Sequence, residues 1–334
     1  MQTHLAGAPF AAQMASLSGL AMNRRHFLAV SIGAALVGCR QRARGMVVGF
    51  SQIDSNGAWR TAETQSMRDA ARTRADRLDL IVTEAQDQTA KQISDVEDLI
   101  ARRVSALFIA PREYDGLEPA LEAAAYAKIP VILVDRQAAG EPGVDYITFV
   151  GSDFVEEGRR AARWLIDATG GQAQIAELTG TPGSSVARDR AQGFRDVLQS
   201  APNMNVLISQ TGFFSRADGQ KVMLNMLQSR GDTITAVYCH NDEMALGAIR
   251  AIRESGRQPG RDIVVVSIDG ERAALEAIVR GELGASVECN PRLGPLAFEA
   301  LERHLAGQPV SAKTVVPDRL FTKDNAEQFV TEAY

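Results

Sequence analysis

Short apolar runs alternate with longer amphipathic segments along most of the chain, and the alternation reads as strand, helix, strand. Apolar, β-rich runs at 46–50, 78–83, 106–110, 130–134 and 146–150 predict strands. Between them, 58–74, 92–103 and 117–127 predict helices; in the second of these Ile93, Val96, Leu99 and Ile100 fall on one face. After a Gly151-Ser152-Asp153 cap and a helix to 169, the pattern begins again. Strands are expected at 173–178, 205–211, 235–239 and 263–268, each leading into a helix. Late strands at 285–287 and 315–321 flank a helix over 292–305. Strands apolar throughout, separated by amphipathic helices, belong to parallel sheets covered on both faces. The fold class expected is therefore α/β, with two doubly wound, Rossmann-like parallel-sheet lobes. The late strands are placed to cross back between lobes, which would make a multi-strand hinge rather than a loose linker. The expected division is 46–148 with about 289–316 for the first lobe, and 149–288 with about 317–334 for the second.

Residues 1–45 do not share this pattern. From Met22 the chain runs through Arg24-Arg25, a short apolar stretch and small residues to Cys39, which has the order of an export signal. The segment around the two arginines is similar to a twin-arginine signal, and Leu36-Val37-Gly38-Cys39 is similar to a lipobox, which would make Cys39 a lipid-attachment site. The apolar run is too short to span a bilayer. A periplasmic location, or one on the outer face of the cytoplasmic membrane, is expected, with membrane contact only through a lipid.

Charge narrows the partners further. Lys and Arg total 36 against 41 Asp and Glu, a formal net charge of −5, and there is no basic stripe of the kind nucleic acid requires. No Cys-x-x-Cys or His-Glu-x-x-His is present, so neither metal nor cofactor is expected. Past the leader two cysteines remain, Cys239 and Cys289, and the sequence leaves open whether they pair.

Right-handed crossovers place the carboxyl ends of all parallel strands on one edge, where ligands of open α/β sheets bind. The residues just past those ends are candidates for a site. The first half contributes Ser51, Trp59, Arg60, Glu63, Asp135 and Arg136. From the second half come Arg188, Asp189, Arg190, Phe213, Phe214, Asn241 and Asp269, with Glu288 and Asn290 near a crossover. Arginines, carboxylates, amides and aromatic rings suit a polyhydroxylated ligand, whose hydroxyls both donate and accept while a ring covers its C–H face. Trp59 also reads as a core anchor, and Arg60 with Glu63 as an i,i+3 surface pair. His240 reads as a structural histidine at a strand end.

Six segments in order carry a resemblance: Val-Gly-Phe-Ser-Gln, Asn-Gly-Ala-Trp-Arg-Thr-Ala-Glu, Leu-Val-Asp-Arg, Gly-Ser-Ser-Val-Ala-Arg-Asp-Arg-Ala-Gln-Gly-Phe, His-Asn-Asp-Glu-Met-Ala-Leu-Gly-Ala and Ser-Ile-Asp-Gly. Together they resemble the ribose/galactose-type periplasmic sugar-binding proteins of ABC importers, and the first two look most like the galactofuranose-binding members. The resemblance implies the type I periplasmic-binding fold, one monosaccharide held between the lobes of a monomer, and delivery to the membrane subunits of an ABC permease. It implies no catalysis. Ligand contacts are implied for Trp59, Arg60 and Glu63, for Asp135 and Arg136, and for Asn241 and Asp269. Arg190 matches the galactofuranose-type arginine and Arg188 the ribose-type one. Phe213-Phe214 departs from the galactofuranose pattern, which has an acidic residue before a single Phe. Three other classes share parts of this pattern: a sugar sensor feeding a chemoreceptor or kinase, a sugar-responsive repressor, and a glycosidase using Glu63 with Asp269. A repressor would carry a helix-turn-helix where this chain has its leader.

Overall fold

In the computed structural model, which describes residues 45–334, the predicted alternation becomes two six-stranded sheets. The expected export signal and Cys39 lie outside the described residues. The first half runs β1 (Met46–Gln52), α1 (Gly57–Arg72), β2 (Leu78–Glu84), α2 (Thr89–Ala101), β3 (Ala106–Ile109), α3 (Glu118–Tyr126), β4 (Val131–Val134) and β5 (Thr148–Gly151). The second runs α4 (Phe154–Thr169), β6 (Ala173–Thr179), α5 (Ser185–Leu198), β7 (Met204–Thr211), α6 (Arg216–Arg230), β8 (Ala236–Cys239), α7 (Asp242–Glu254), β9 (Val264–Asp269), α8 (Arg272–Val279) and β10 (Ala285–Glu288). The chain finishes with α9 (Gly294–Leu305), β11 (Lys313–Val315), β12 (Leu320–Thr322) and α10 (Ala326–Phe329).

Sheet order is β11-β5-β4-β3-β1-β2 in one lobe and β12-β10-β9-β8-β6-β7 in the other. All pairs are parallel except β10 with β12. The central strands β3, β4 and β8 are buried at every position, which is why their sequences are apolar without alternation. Each fully buried large side chain there contributes about 1.5–3 kcal/mol of transfer free energy. Phe108 of β3 meets Phe298 of α9 edge to face at 4.8 Å, which docks α9 on the first lobe.

The chain passes between the sheets three times: after β5, after β10, and between β11 and β12. The first sheet extends through Gly151, past the boundary expected at 148. The single late strand expected over 315–321 is two strands, one in each sheet, because Pro317 has no N–H for a ladder and breaks the run. The crossings touch one another, with Ser152 Oγ donating to Asp318 Oδ1 at 3.2 Å. Cys239 and Cys289 are both buried and both free thiols.

Candidate functional site

On the first lobe the site is built from the ends of β1 and β4. Asp135 follows a fully buried strand and turns sharply, with φ at 60°; the N–H groups of Asp135 and Arg136 donate to Val150 O (3.0 Å) and Val134 O (2.7 Å). The tight turn leaves both side chains at the edge of the sheet. Arg60, in the first turn of α1, reaches Asp135 Oδ2 at 2.7 Å and Glu63 Oε2 at 2.8 Å. Its guanidinium lies over the Trp59 ring, 4.7 Å from the centroid. The Trp59 indole N–H donates to Cys289 O at 2.8 Å, tying α1 to the crossing after β10. Arg136 donates to Arg112 O at 2.8 Å and stacks over Phe214 of the other lobe at 5.3 Å.

The i,i+3 pair of Arg60 and Glu63 exists, but it is buried rather than solvated. Burial, helped by Asp135, pushes the Glu63 carboxyl up to about 7 although Arg60 and Gln52 hold it down. Burial and the neighbouring charge of Arg60 lower Arg136 to about 10. For Arg60, burial would lower the pKa, but Asp135 and Glu63 outweigh it and the guanidinium stays charged.

On the second lobe Arg190 of α5 is 3% exposed and sits at the centre of a polar network. Its Nε donates to Glu157 Oε2 at 2.8 Å, Nη1 to His240 O at 2.5 Å, and Nη2 to Asp269 Oδ1 at 3.3 Å. Helix α4 comes this close to α5 because position 158 is glycine; a Cβ there would lie 2.2 Å from Arg190 O. Burial drives Asp269 and Glu157 above the usual carboxylate range, with Arg190 opposing it. Asp269 has φ at 135°, and its carbonyl accepts from Cys289 N and the Tyr334 hydroxyl, both at 3.0 Å. Asn241 caps α7, accepting from Met244 N at 3.0 Å and donating to Phe214 O at 3.2 Å. His240 is buried and bonded to Glu177 at 3.1 Å, and burial lowers its pKa, so it is a neutral structural group.

Phe213 and Phe214 are both left-handed, at φ 53° and 58°. This double turn lays the Phe214 ring on Gly180, where a Cβ would be 1.9 Å from Cζ. No larger residue fits at 180 with the ring in place.

Between the lobes lies a cavity of about 500 Å³. Trp59, Arg60, Asp135 and Arg136 line it from one side, and Arg190, Phe214, Asn241 and Asp269 from the other. Six of the fifteen strand-end candidates are not on its wall: Ser51, Glu63, Arg188, Asp189, Glu288 and Asn290. Ser51 is wholly buried at the end of β1, and Glu63 lies behind Arg60, held by Gln52 Nε2 at 2.9 Å. Arg188 points outward: its side chain is 52% exposed, paired with Asp189 at 2.8 Å and stacked over Tyr114 of the first lobe at 4.4 Å. Beside it Tyr114 N–H donates to Gly183 O at 2.8 Å and Gln137 N–H to Ser185 Oγ at 3.0 Å, so the lobes are also bonded to each other outside the cavity lining.

Several lining residues were not among the candidates, notably Asp54, Asp87, Thr181, Glu243, Glu271 and Cys289. Asp54 lies two residues beyond β1 and Glu271 two beyond β9, nearer their strand ends than Trp59, Arg60 or Glu63 are to β1. Among the described residues no group of three or more His, Cys, Asp or Glu is placed to hold a metal ion. The arrangement offers fixed guanidinium donors, carboxylate acceptors and two aromatic rings from opposing walls. Because the deepest arginines are already paired with carboxylates, a neutral ligand with many hydroxyls joins the network without stranding a charge.

The family model for the periplasmic binding protein domain matches residues 48–309, which takes in both lobes and most of the crossings. The chain belongs to this family. It is 37% identical over 308 residues to the galactofuranose-binding protein of Escherichia coli (strain K12), covering 91% of this chain and 96% of that one. To the ribose import binding protein of Bacillus subtilis (strain 168) it is 40% identical over 247 residues, 74% of this chain and 78% of that one. Among solved structures, the periplasmic binding protein component of the arabinose ABC transporter from Shewanella sp. ANA-3, bound to α- and β-L-arabinofuranose, superposes with a TM-score of 0.83. That pair shares 40% identity over 86% of this chain and 95% of the other. These likenesses agree with the resemblance and with the two-lobed α/β architecture expected above.

Proposed function

We propose that this protein is a solute-binding receptor that captures one neutral monosaccharide between its lobes and delivers it to the permease of an ABC importer. The observation that carries the reading is the cavity itself: Arg60, Arg136 and Arg190 interleaved with Asp135 and Asp269, capped by Trp59 and Phe214, drawn from both lobes. A sugar touching both walls favours the closed arrangement by the difference in its contacts between open and closed forms. The relatives named for galactofuranose, ribose and arabinofuranose support a furanose-forming hexose or a pentose as the ligand class.

In this reading the three crossings act as the hinge, Arg190 rather than Arg188 is the ligand arginine, and Glu63 positions Arg60 without touching sugar. Its place behind Arg60 removes it from any glycosidase pair with Asp269, which favours a receptor over an enzyme. Export by the amino-terminal leader, lipid attachment at Cys39 and action as a monomer complete the proposal. A thermal-shift screen against neutral pentoses and hexoses tests it. A ligand at about 100 times its Kd adds roughly 2.7 kcal/mol to the folded state. A raised midpoint with a furanose-forming sugar, lost in Arg136→Ala and Asp269→Ala, is expected; no shift with any monosaccharide would overturn the reading.

A further inference from the structure

Glu271 lines the cavity and is 2% exposed, yet the fold makes no use of its carboxyl. It is the residue preceding α8 but does not cap that helix through its side chain. Its Oε1 is buried without a hydrogen-bond partner, and among the described residues its side chain enters no ion pair within 4 Å. The contrast with its neighbours is sharp: Asp269 faces Arg190, Asp135 faces Arg60, and Glu243 pairs with Arg216 at 2.6 Å.

The Glu271 backbone, in contrast, is pinned. Its N–H donates to Asp242 Oδ2 at 2.8 Å, and Asp242 is held in turn by Gly270 N–H at 2.7 Å and by Ser286 and Ser267. The side chain is therefore delivered to the cavity wall by a rigid support. The groups around it are Asp242, Asp269, Glu243 and Arg216; burial and the first three push its carboxyl up to about 10, with Arg216 opposing them. At neutral pH it carries a proton and presents an O–H donor as well as an acceptor. A buried polar group without a partner is destabilising, and such groups persist where a ligand completes them.

We propose that Glu271 is a specificity-determining contact, hydrogen-bonding one hydroxyl of the captured sugar from the second lobe beside Asp269. This rests on the sugar reading above and adds a residue to it. A site built to bond a hydroxyl discriminates strongly against the analogue lacking it, because the protein group is then stranded. One position of the sugar should accordingly be read by Glu271 alone.

The test pairs two variants with a set of deoxy sugars. The sugar giving the largest thermal shift with the wild-type protein is titrated calorimetrically against wild type, Glu271→Gln and Glu271→Leu, together with its monodeoxy analogues. Glu271→Leu is expected to weaken binding of the parent sugar by 10-fold or more while leaving the ligand-free melting temperature unchanged or higher. Glu271→Gln, which keeps a donor and an acceptor, should bind more tightly than the leucine variant. One deoxy analogue should bind wild type poorly and bind Glu271→Leu about as well as the parent does. If Glu271→Leu binds the parent within about 2-fold of wild type, or if the ligand-free melting temperature falls in both variants, the inference is wrong. A wild-type protein that binds no monosaccharide overturns the sugar reading and this inference together, whereas wild-type binding with indifferent variants overturns this inference alone.

Discussion

Replacing Arg190 by methionine separates what that residue does for folding from what it does for ligand. The variant keeps most of the side-chain volume but strands Glu157, 1% exposed, and Asp269, 4% exposed. Breaking a buried pair by removing one partner costs about 3–5 kcal/mol. The loss is bounded because a stranded carboxyl can take a proton instead. For a glutamate with an unfolded pKa of about 4.3, that costs about 3.7 kcal/mol at pH 7, at about 1.36 kcal/mol per unit. Part of the cost is already present in the wild type, where burial raises both carboxyls. A net loss near 3 kcal/mol is thus expected, or a melting temperature lower by roughly 6–12 °C. The pH dependence has a definite sign. The folded variant holds protons that the unfolded chain releases above about pH 4.3, so stability falls as pH rises and is recovered on acidification. Denaturant melts from pH 7 to pH 5 should show Arg190→Met regaining about 1.4 kcal/mol per unit for each extra proton bound, relative to wild type. Adding Glu157→Leu should restore part of the stability at pH 7, because the network is then removed rather than broken. Sugar binding should be lost in both variants. A pH-independent deficit, or no rescue by the second substitution, would refute the account of Arg190 as a guanidinium held between two buried carboxylates.

Other consequences are more local. Gly180→Ala forces Phe214 off its seat, since the new Cβ would overlap the ring at 1.9 Å; about 1–3 kcal/mol of stability should be lost, and calorimetry should show at least 10-fold weaker sugar binding. Arg188→Ala or Tyr114→Ala removes the stacked latch outside the cavity. At about 0.5–1 kcal/mol for such a contact, each should speed sugar release about 2- to 5-fold in stopped-flow, and the double variant should show no further effect. Asp318, at the crossing between β11 and β12, is pushed up to about 8 by burial and Glu157. Its folded pKa lies above the unfolded one, so it lowers stability progressively from about pH 4 to 8. Asp318→Asn should melt higher than wild type at pH 8 and nearly the same at pH 4.

The architecture was legible because parallel strands buried on both faces leave unbroken apolar runs, as in β3, β4 and β8, and because Ser, Asp and Asn mark the starts of α4, α5, α6 and α7. The strand-end rule found nine residues of the cavity wall. Its errors have physical reasons. Glu63 sits one turn beyond Arg60, but that face of α1 turns toward Gln52 of β1 instead of the cavity. The choice between Arg188 and Arg190 was open from motif matching, yet helix phase distinguishes them: Ala187, Arg190, Ala191 and Phe194 form the buried stripe of α5, and Arg188 is off it. Glu271 directly precedes α8, where an acidic residue has the local sequence pattern of ordinary dipole compensation. Only its packing shows that the carboxyl is neither a cap nor a partner. Pro317 was visible in the run that became β11 and β12, and it should have divided that strand.

The central claim is that one neutral sugar closes the gap between the two arginine–carboxylate walls. Isothermal titration of the protein with galactose and with L-arabinose tests it most directly, with Asp269→Ala and Arg136→Ala titrated alongside. The account predicts saturable heat with a stoichiometry of one sugar per chain for at least one furanose-forming monosaccharide, abolished when either wall is disabled. Absence of binding by every neutral monosaccharide, or binding that survives both substitutions, would contradict it.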